Sequence, residues 1–244
     1  MSDHTRTMPT IRLSKFISGA GVCSRRQASR LIELGVVLVN GRRGVHIDQV
    51  SQQDLITIEG KLIHHSPPIL YFIYNKPIGI DSVCNPNDPS SIIHFLPTIS
   101  DDQRIFPVGR LDKDSHGLLL LTNDGELCQR LMHPDFYHEK VYRVTVDKVV
   151  TEDFLEAMRS GIEYGNIKTR PCQLMQVNEY QFDITLTQGM NRQIRRMCQA
   201  LSYRVKDLFR FRILGLQMTG LNSGDNRALT ESEIRDLYDE IRAS

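Results

Sequence analysis

The chain has 244 residues, 40% of them hydrophobic and 24% charged, with a formal net charge of +1. This is an ordinary soluble globular composition, long enough for one large domain or for a medium domain with a small module. No apolar run approaches the roughly 20 residues that span a bilayer. The five cysteines (Cys23, Cys84, Cys128, Cys172 and Cys198) are scattered, with no C-x-x-C pair, which argues against a disulfide framework and a structural zinc site.

Residues 1–9 are polar and lack the apolar core of a signal peptide, so they read as a flexible N-terminus of a cytoplasmic protein. Leu13, Phe16 and Ile17 have helical spacing, ended by Gly19 and Gly21. Ser24 and Gln27 have capping-box spacing at the start of a second helix. Its apolar face is Ala28, Leu31, Ile32 and Leu34, and Gly35 ends it. Short strands are predicted at 36–39, closed by Asn40-Gly41, at 45–47, and at 55–58, closed by Glu59-Gly60. Pro67-Pro68 then breaks the chain. Beyond it, strands are predicted at 70–74, 118–122, 141–146, 172–177, 181–187 and 209–214. Helices are predicted at 124–132, 151–160, 191–201 (capped by Asn191) and 230–242 (with a Thr230/Glu233 capping box). The order is not a regular β-α alternation, so the fold class is α+β with a mostly antiparallel or mixed sheet.

The net charge hides two basic clusters. Between Arg6 and Arg43 the only acid is Glu33, and between Arg192 and Arg212 the only acid is Asp207. In the first, Lys15, Arg25, Arg26, Arg30, Arg42 and Arg43 are candidate RNA contacts. Two basic surfaces on a near-neutral protein point to a polyanion met at defined places, although one such cluster alone is as often a solvated helix face.

The segment Val108-Gly-Arg-Leu-Asp-Lys-Asp-Ser-His-Gly-Leu-Leu-Leu-Leu-Thr-Asn-Asp-Gly125 carries the strongest chemical signal. A polar loop with two carboxylates, Asp112 and Asp114, bracketed by Gly109 and Gly117, runs directly into an apolar strand. A carboxylate on a loop held by a buried strand is well placed for catalysis, though on spacing alone a capped turn is the commoner outcome.

Gly109-Arg110-Leu111-Asp112, with Ser115, Gly117-Leu118-Leu119 and Thr122-Asn123-Asp124-Gly125, resembles the central motif of bacterial ribosomal RNA pseudouridine synthases of the RsuA/RluB/RluE/RluF family. Tyr74-Asn75-Lys76-Pro77-Ile78-Gly79 is similar to that family's lysine-proline-glycine motif, and His138-Glu139-Lys140-Val141-Tyr142 to its tyrosine segment. Gly189-Met190-Asn191-Arg192-Gln193-Ile194-Arg195-Arg196-Met197 is similar to its third motif. The N-terminal piece resembles a small αL RNA-binding domain of the S-four type. Ordered motifs of this kind are far more specific than any one of them. The likeness is nearest to the RluF branch, some of whose members carry a long basic tail, whereas this chain ends at Ser244 after a predicted helix.

The resemblance implies a pseudouridine synthase fold over 67–244, preceded by the αL domain over 10–66. It also implies isomerisation of a uridine in ribosomal RNA, most specifically 23S, with no cofactor and no metal. Asp112 would be the catalytic carboxylate, Arg195 its ion-pair partner and Tyr142 the ring against the flipped base. Lys76, Arg110, Lys140, Arg192 and Arg196 would be phosphate contacts around the cleft. Asp114 is read as capping the turn, and His116 as a loop residue. The protein is expected to act as a monomer on RNA. The alternatives are a non-catalytic RNA-binding or ribosome-assembly factor, and a synthase acting on transfer RNA. A carboxylate in the cleft repels phosphate, so a pure binder has no use for it.

Overall fold

The computed structural model describes residues 9–63, 68–97 and 104–243. Residues 1–8, 64–67, 98–103 and 244 lie outside the described residues, and with them fall most of the expected N-terminal tail and Pro67 of the expected boundary. The chain forms two compact units: Met1–Leu70 with Thr98–Ile105 and Asn123–Gly125, and the remainder.

The first unit is built from β1 (Ile11–Arg12), α1 (Leu13–Gly19), α2 (Arg25–Glu33), β2 (Val37–Val39), β3 (Arg42–Arg43), β4 (Gln49–Val50), β5 (Ile56–Ile58) and β6 (Lys61–Leu62). Leu13, Phe16 and Ile17 of α1 and Ala28 and Ile32 of α2 bury against Val37, Val39, Val50 and Ile56. Ser24 caps α2 by accepting the Gln27 backbone N–H at 3.2 Å. The strand expected at 45–47 is instead a turn. The Asp48 carboxylate accepts the Val45 N–H at 2.9 Å and both Arg42 terminal nitrogens at 2.9 Å, which pulls the backbone out of the ladder.

This corrects the basic face as well. Arg42 is held by Asp48, and Arg43 donates to the Glu33 carbonyl at 3.1 Å while lying over Gly35. Lys15, Arg25, Arg26 and Arg30 are the exposed cations of α1 and α2, with no ion pair among the described residues.

The second unit holds β7 (Tyr71–Lys76), β8 (Phe106–Pro107), β9 (His116–Thr122), α3 (Gly125–Met132), β10 (Lys140–Val146), α4 (Glu152–Ser160), β11 (Glu163–Tyr164) and β12 (Ile167–Lys168). These are followed by β13 (Gln173–Asn178), β14 (Gln181–Leu186), α5 (Gln193–Ala200), β15 (Val205–Ile213), β16 (Leu216–Gln217), β17 (Asn226–Ala228) and α6 (Glu231–Arg242). The sheet order is β13-β14-β10-β15-β9-β7-β17, with β16 on β15 and β8 on β9. Every pairing is antiparallel except β9 with β15, a parallel seam of two residue pairs, Phe209 with His116 and Arg210 with Gly117. The α+β reading with a mixed, mostly antiparallel sheet holds.

The unit has two hydrophobic cores, with β15 contributing Leu208 to one and Ile213 to the other. One gathers α4, α5, β10, β13 and β14 around Phe154, Met158, Phe182, Ile184 and Met197. The other gathers α3, α6, β7 and β9 around Ile73, Leu118, Leu120, Leu127 and Leu237. The Leu118–Leu121 run is wholly buried, as expected of a central strand covered on both faces. Among the described residues no helix is long and apolar enough to cross a membrane.

Candidate active site

The loop between β8 and β9 is fixed at both ends. Val108 donates its N–H to the Leu120 carbonyl at 2.7 Å. The buried Ser82 hydroxyl accepts the Leu111 N–H at 3.1 Å and donates to the Leu111 carbonyl at 2.8 Å. Ser115 closes the turn by donating its N–H to the Asp112 carbonyl at 3.0 Å. These bonds leave Asp112 between two anchored neighbours, buried Leu111 and Ser115, with its own side chain 30% exposed.

The loop forms one wall of a cleft of about 450 Å³, and Asp112, Arg110, Lys140, Tyr142, Arg192 and Arg210 all line it. Lys140 and Tyr142 stand on β10, Arg210 on β15, and Arg192 at the start of α5. Two carboxylates, Asp112 and Asp81, thus share the cleft with several cations, and partial enclosure makes charge interactions there stronger than in open water.

The expected Asp112–Arg195 ion pair is not how the charges divide. Arg195 donates through Nη2 to the Asp114 carbonyl at 2.7 Å and to the Ser115 hydroxyl at 3.1 Å, with its Nε 3.4 Å from the Asp114 carboxylate. Arg192 grips the same carboxylate through both terminal nitrogens, at 2.7 and 3.0 Å. The Arg192 hydrogen bond, assisted by the charge of Arg195, holds Asp114 below the ordinary carboxylate range despite partial burial. The cation nearest Asp112 is Arg192, 3.9 Å away. The reason is local. With Ser115 N–H on the Asp112 carbonyl, the turn presents the Asp114 carbonyl and the Ser115 hydroxyl together to α5, and one guanidinium takes both.

Other assignments shift too. Lys76 is fully buried and donates to the Pro77 and Ile80 carbonyls at 2.8 Å each, so it cannot reach a phosphate from outside. Burial lowers its pKa to about 8, partly opposed by Asp81 and reinforced by Arg210. Arg196 turns away from the cleft, donates to Asn191 at 3.0 Å and borders a separate hollow with Tyr164 and Gln199. Asn191 does not cap α5. The cap is Arg192, in left-handed backbone conformation with φ 52°. His116 opens β9, with Nε2 2.9 Å from Asp207 and its ring stacked on Phe209 at 5.0 Å.

Sequence reasoning missed Arg210. It is 2% exposed, donates through Nε to the Leu118 carbonyl at 2.8 Å, and places Nη1 3.4 Å from the Tyr142 hydroxyl and 3.5 Å from the Arg110 carbonyl. One guanidinium therefore ties β9, the Asp112 loop and the tyrosine together. The only signal was an arginine among alternating aromatics in Phe209-Arg210-Phe211-Arg212, which reads as an ordinary two-faced strand.

A family profile described as RNA pseudouridylate synthase matches residues 70–200, and one described as the S4 domain matches residues 11–43. The chain belongs to the RNA pseudouridine synthase family. It is 41% identical over 237 residues to the dual-specificity RNA pseudouridine synthase RluF of Escherichia coli (strain K12), covering 96% of this chain and 81% of the relative. It is 37% identical over 234 residues to the ribosomal large subunit pseudouridine synthase B of Bacillus subtilis (strain 168), covering 93% and 95%. A crystal structure of a pseudouridylate synthase superposes with a TM-score of 0.68 at 33% identity, over 93% of this chain and 99% of that one.

Proposed function

We propose that this pseudouridine synthase acts in the cytoplasm, as a monomer, on a uridine of 23S ribosomal RNA, with Asp112 as its catalytic carboxylate. The observation that carries the assignment is the contrast between the two loop acids. Two guanidinium groups hold the Asp114 carboxylate, whereas Asp112 faces the cleft with its nearest cation 3.9 Å away. Residues 10–66 serve as the RNA-binding module and 67–244 as the catalytic domain.

In the reaction the N1–C1′ bond breaks, the uracil turns, and C5 bonds to C1′. C5 then loses a proton and N1 gains one, so nothing is consumed. The bond is unreachable in a stacked helix, so the nucleotide is turned out into the cleft. Asp112 either attacks C1′ or removes the C2′ proton. Tyr142 offers a ring to the base, and its hydroxyl is held by Arg210. Arg110, Lys140 and Arg192 receive phosphates at the rim. Arg195 serves Asp112 at one remove, by fixing Asp114 and Ser115 at the end of the turn that Asp112 opens.

Mapping pseudouridine in ribosomal and transfer RNA from cells with and without the gene tests the function. One 23S site lost in the mutant and restored by the wild-type gene is expected. An unchanged map, together with no conversion of 23S transcripts by the purified protein, would overturn it.

The module makes its own prediction. Neutralising Lys15, Arg25, Arg26 and Arg30 is expected to weaken RNA binding. It should also flatten the log–log salt dependence by about 0.7–0.9 for each phosphate that is no longer neutralised. An unchanged slope would show that this face does not grip RNA.

A further inference from the structure

We propose that the corner Met132–His138, together with Arg170, is a stacking platform for an unpaired nucleobase of the substrate RNA beside the uridine that is turned out. The proposal rests on the cleft being the RNA-modifying site. Between α3 and β10 the chain makes one tight turn, Pro134–Phe136, and leaves three large apolar side chains in water. Met132 is 43% exposed, Phe136 37% and Tyr137 56%.

Tyr137 stands in left-handed backbone conformation, φ 54° and ψ 29°, and it is the only aromatic residue among the described non-glycine residues with positive φ. A bulky side chain there is strained, and a residue serving only the turn would be glycine or asparagine. Strain of this kind concentrates at functional sites.

The rings are also backed. The Arg170 guanidinium lies 4.3 Å from the Tyr137 ring centre and is anchored by donating to the Pro134 carbonyl at 3.2 Å. Phe136 stacks on buried His138 at 5.8 Å and 24°, and His133 packs at its side at 5.4 Å. Burial, reinforced by the neighbouring Lys140, lowers the His138 pKa and keeps that backing neutral.

The platform is continuous with the cleft. Met132 lines the cleft against Gly109, and the His138 carbonyl accepts from Lys140 of the cleft wall at 3.2 Å. The acid in this corner is Asp135, 3.7 Å from His133. Two aromatic faces and a stacked arginine at the edge of a cationic cleft match the chemistry that holds a single-stranded base and its phosphate.

The test is a double-mutant cycle on binding, in an Asp112→Asn background that leaves the RNA unconverted. The probe is an RNA hairpin around the mapped uridine, with flanking nucleotides made abasic one at a time. With unmodified Tyr137, one abasic position is expected to weaken binding by about 5- to 150-fold, the range for loss of one base–aromatic stack. In Tyr137→Gly that same position should become silent, while Tyr137→Phe keeps most of the loss. Tyr137→Gly should also melt at a higher temperature, because it relieves the backbone strain. If every abasic position costs Tyr137→Gly what it costs the parent, the platform is wrong. Should the wild-type protein modify no RNA, the enzymatic reading fails separately, and the binding comparison is made on unstructured oligouridine. There, equal affinities of the parent and Tyr137→Gly would overturn the platform.

Discussion

Asp112→Asn is expected to lower turnover by on the order of 10³–10⁴-fold, while RNA affinity stays within a few-fold. The substitution is nearly isosteric and removes a charge that repels phosphate, so binding has no reason to suffer. The backbone bonds that shape the loop, Ser82 to Leu111 and Ser115 to Asp112, do not involve the Asp112 side chain. Tritium release from C5-labelled uridine reads turnover, and filter binding reads affinity. Asp114→Asn is the informative control. It strips a bidentate partner from Arg192 and a neighbour from Arg195, so it should loosen the loop and lower stability as well as rate. Turnover near wild type in Asp112→Asn would remove that residue from the chemistry, and loss confined to Asp114→Asn would move the role there.

Gly117→Ala is expected to be the most destabilising single-methyl change in the sheet. Gly117 sits at the parallel seam with φ 109°, a conformation that L side chains rarely adopt. An added Cβ would collide with the Arg210 carbonyl oxygen, lie 2.9 Å from the Arg210 nitrogen and 2.7 Å from the Phe209 ring. Most of that is backbone and cannot step aside without parting β9 from β15. Backbone strain and overpacking together come to about 3–5 kcal/mol, or roughly 10–15 °C in Tm for a unit of this size. Gly60, at φ 80° with nothing within 4 Å of its Cβ position, isolates the conformational part. Gly60→Ala should cost only about 1 kcal/mol. Thermal melts of the two variants compare the effects directly, and similar Tm values would show that the seam yields.

Much of this molecule was legible in the sequence, and the reasons differ from place to place. The Leu118–Leu121 run, the Ser24 and Thr230 caps and the helical spacing of Leu13, Phe16 and Ile17 are local signals, and the structure realises them locally. The two-residue strands β8, β11, β12 and β16 fall below any periodicity. The turn at Val45–Ile47 was misread because its determinant, the Asp48 carboxylate with Arg42, acts through side chains rather than apolar alternation. At the site, the motif brought Asp112, Tyr142 and Arg192 to one cleft, but not the division of labour among the arginines. Which carboxylate Arg195 meets depends on how a turn presents a carbonyl and a hydroxyl, and that is not written in residue spacing. Arg210 was hidden for the same reason, because its partners Leu118, Arg110 and Tyr142 lie 92, 100 and 68 residues away in sequence.

The cations in and behind the cleft also make the unliganded protein a poor host to its own charge. Lys140 is pushed to about 8 by burial and then by Arg210, and Lys76 to about 8 chiefly by burial. Lys140 meets a carbonyl, and Arg210 meets two carbonyls and a hydroxyl. Both lysines bind protons more weakly folded than unfolded. Between about pH 8 and the unperturbed lysine value near 10.4, the unfolded chain therefore holds more protons, and native stability rises with pH across that interval, the reverse of what a salt-bridged lysine gives. Below pH 8 both ammonium groups stay charged and the penalty is present in full. On the role proposed above for Lys140, a phosphodiester settling at the rim supplies the counter-charge that this lysine lacks and draws a proton onto it, whereas Lys76, sealed beneath, gains nothing from the RNA.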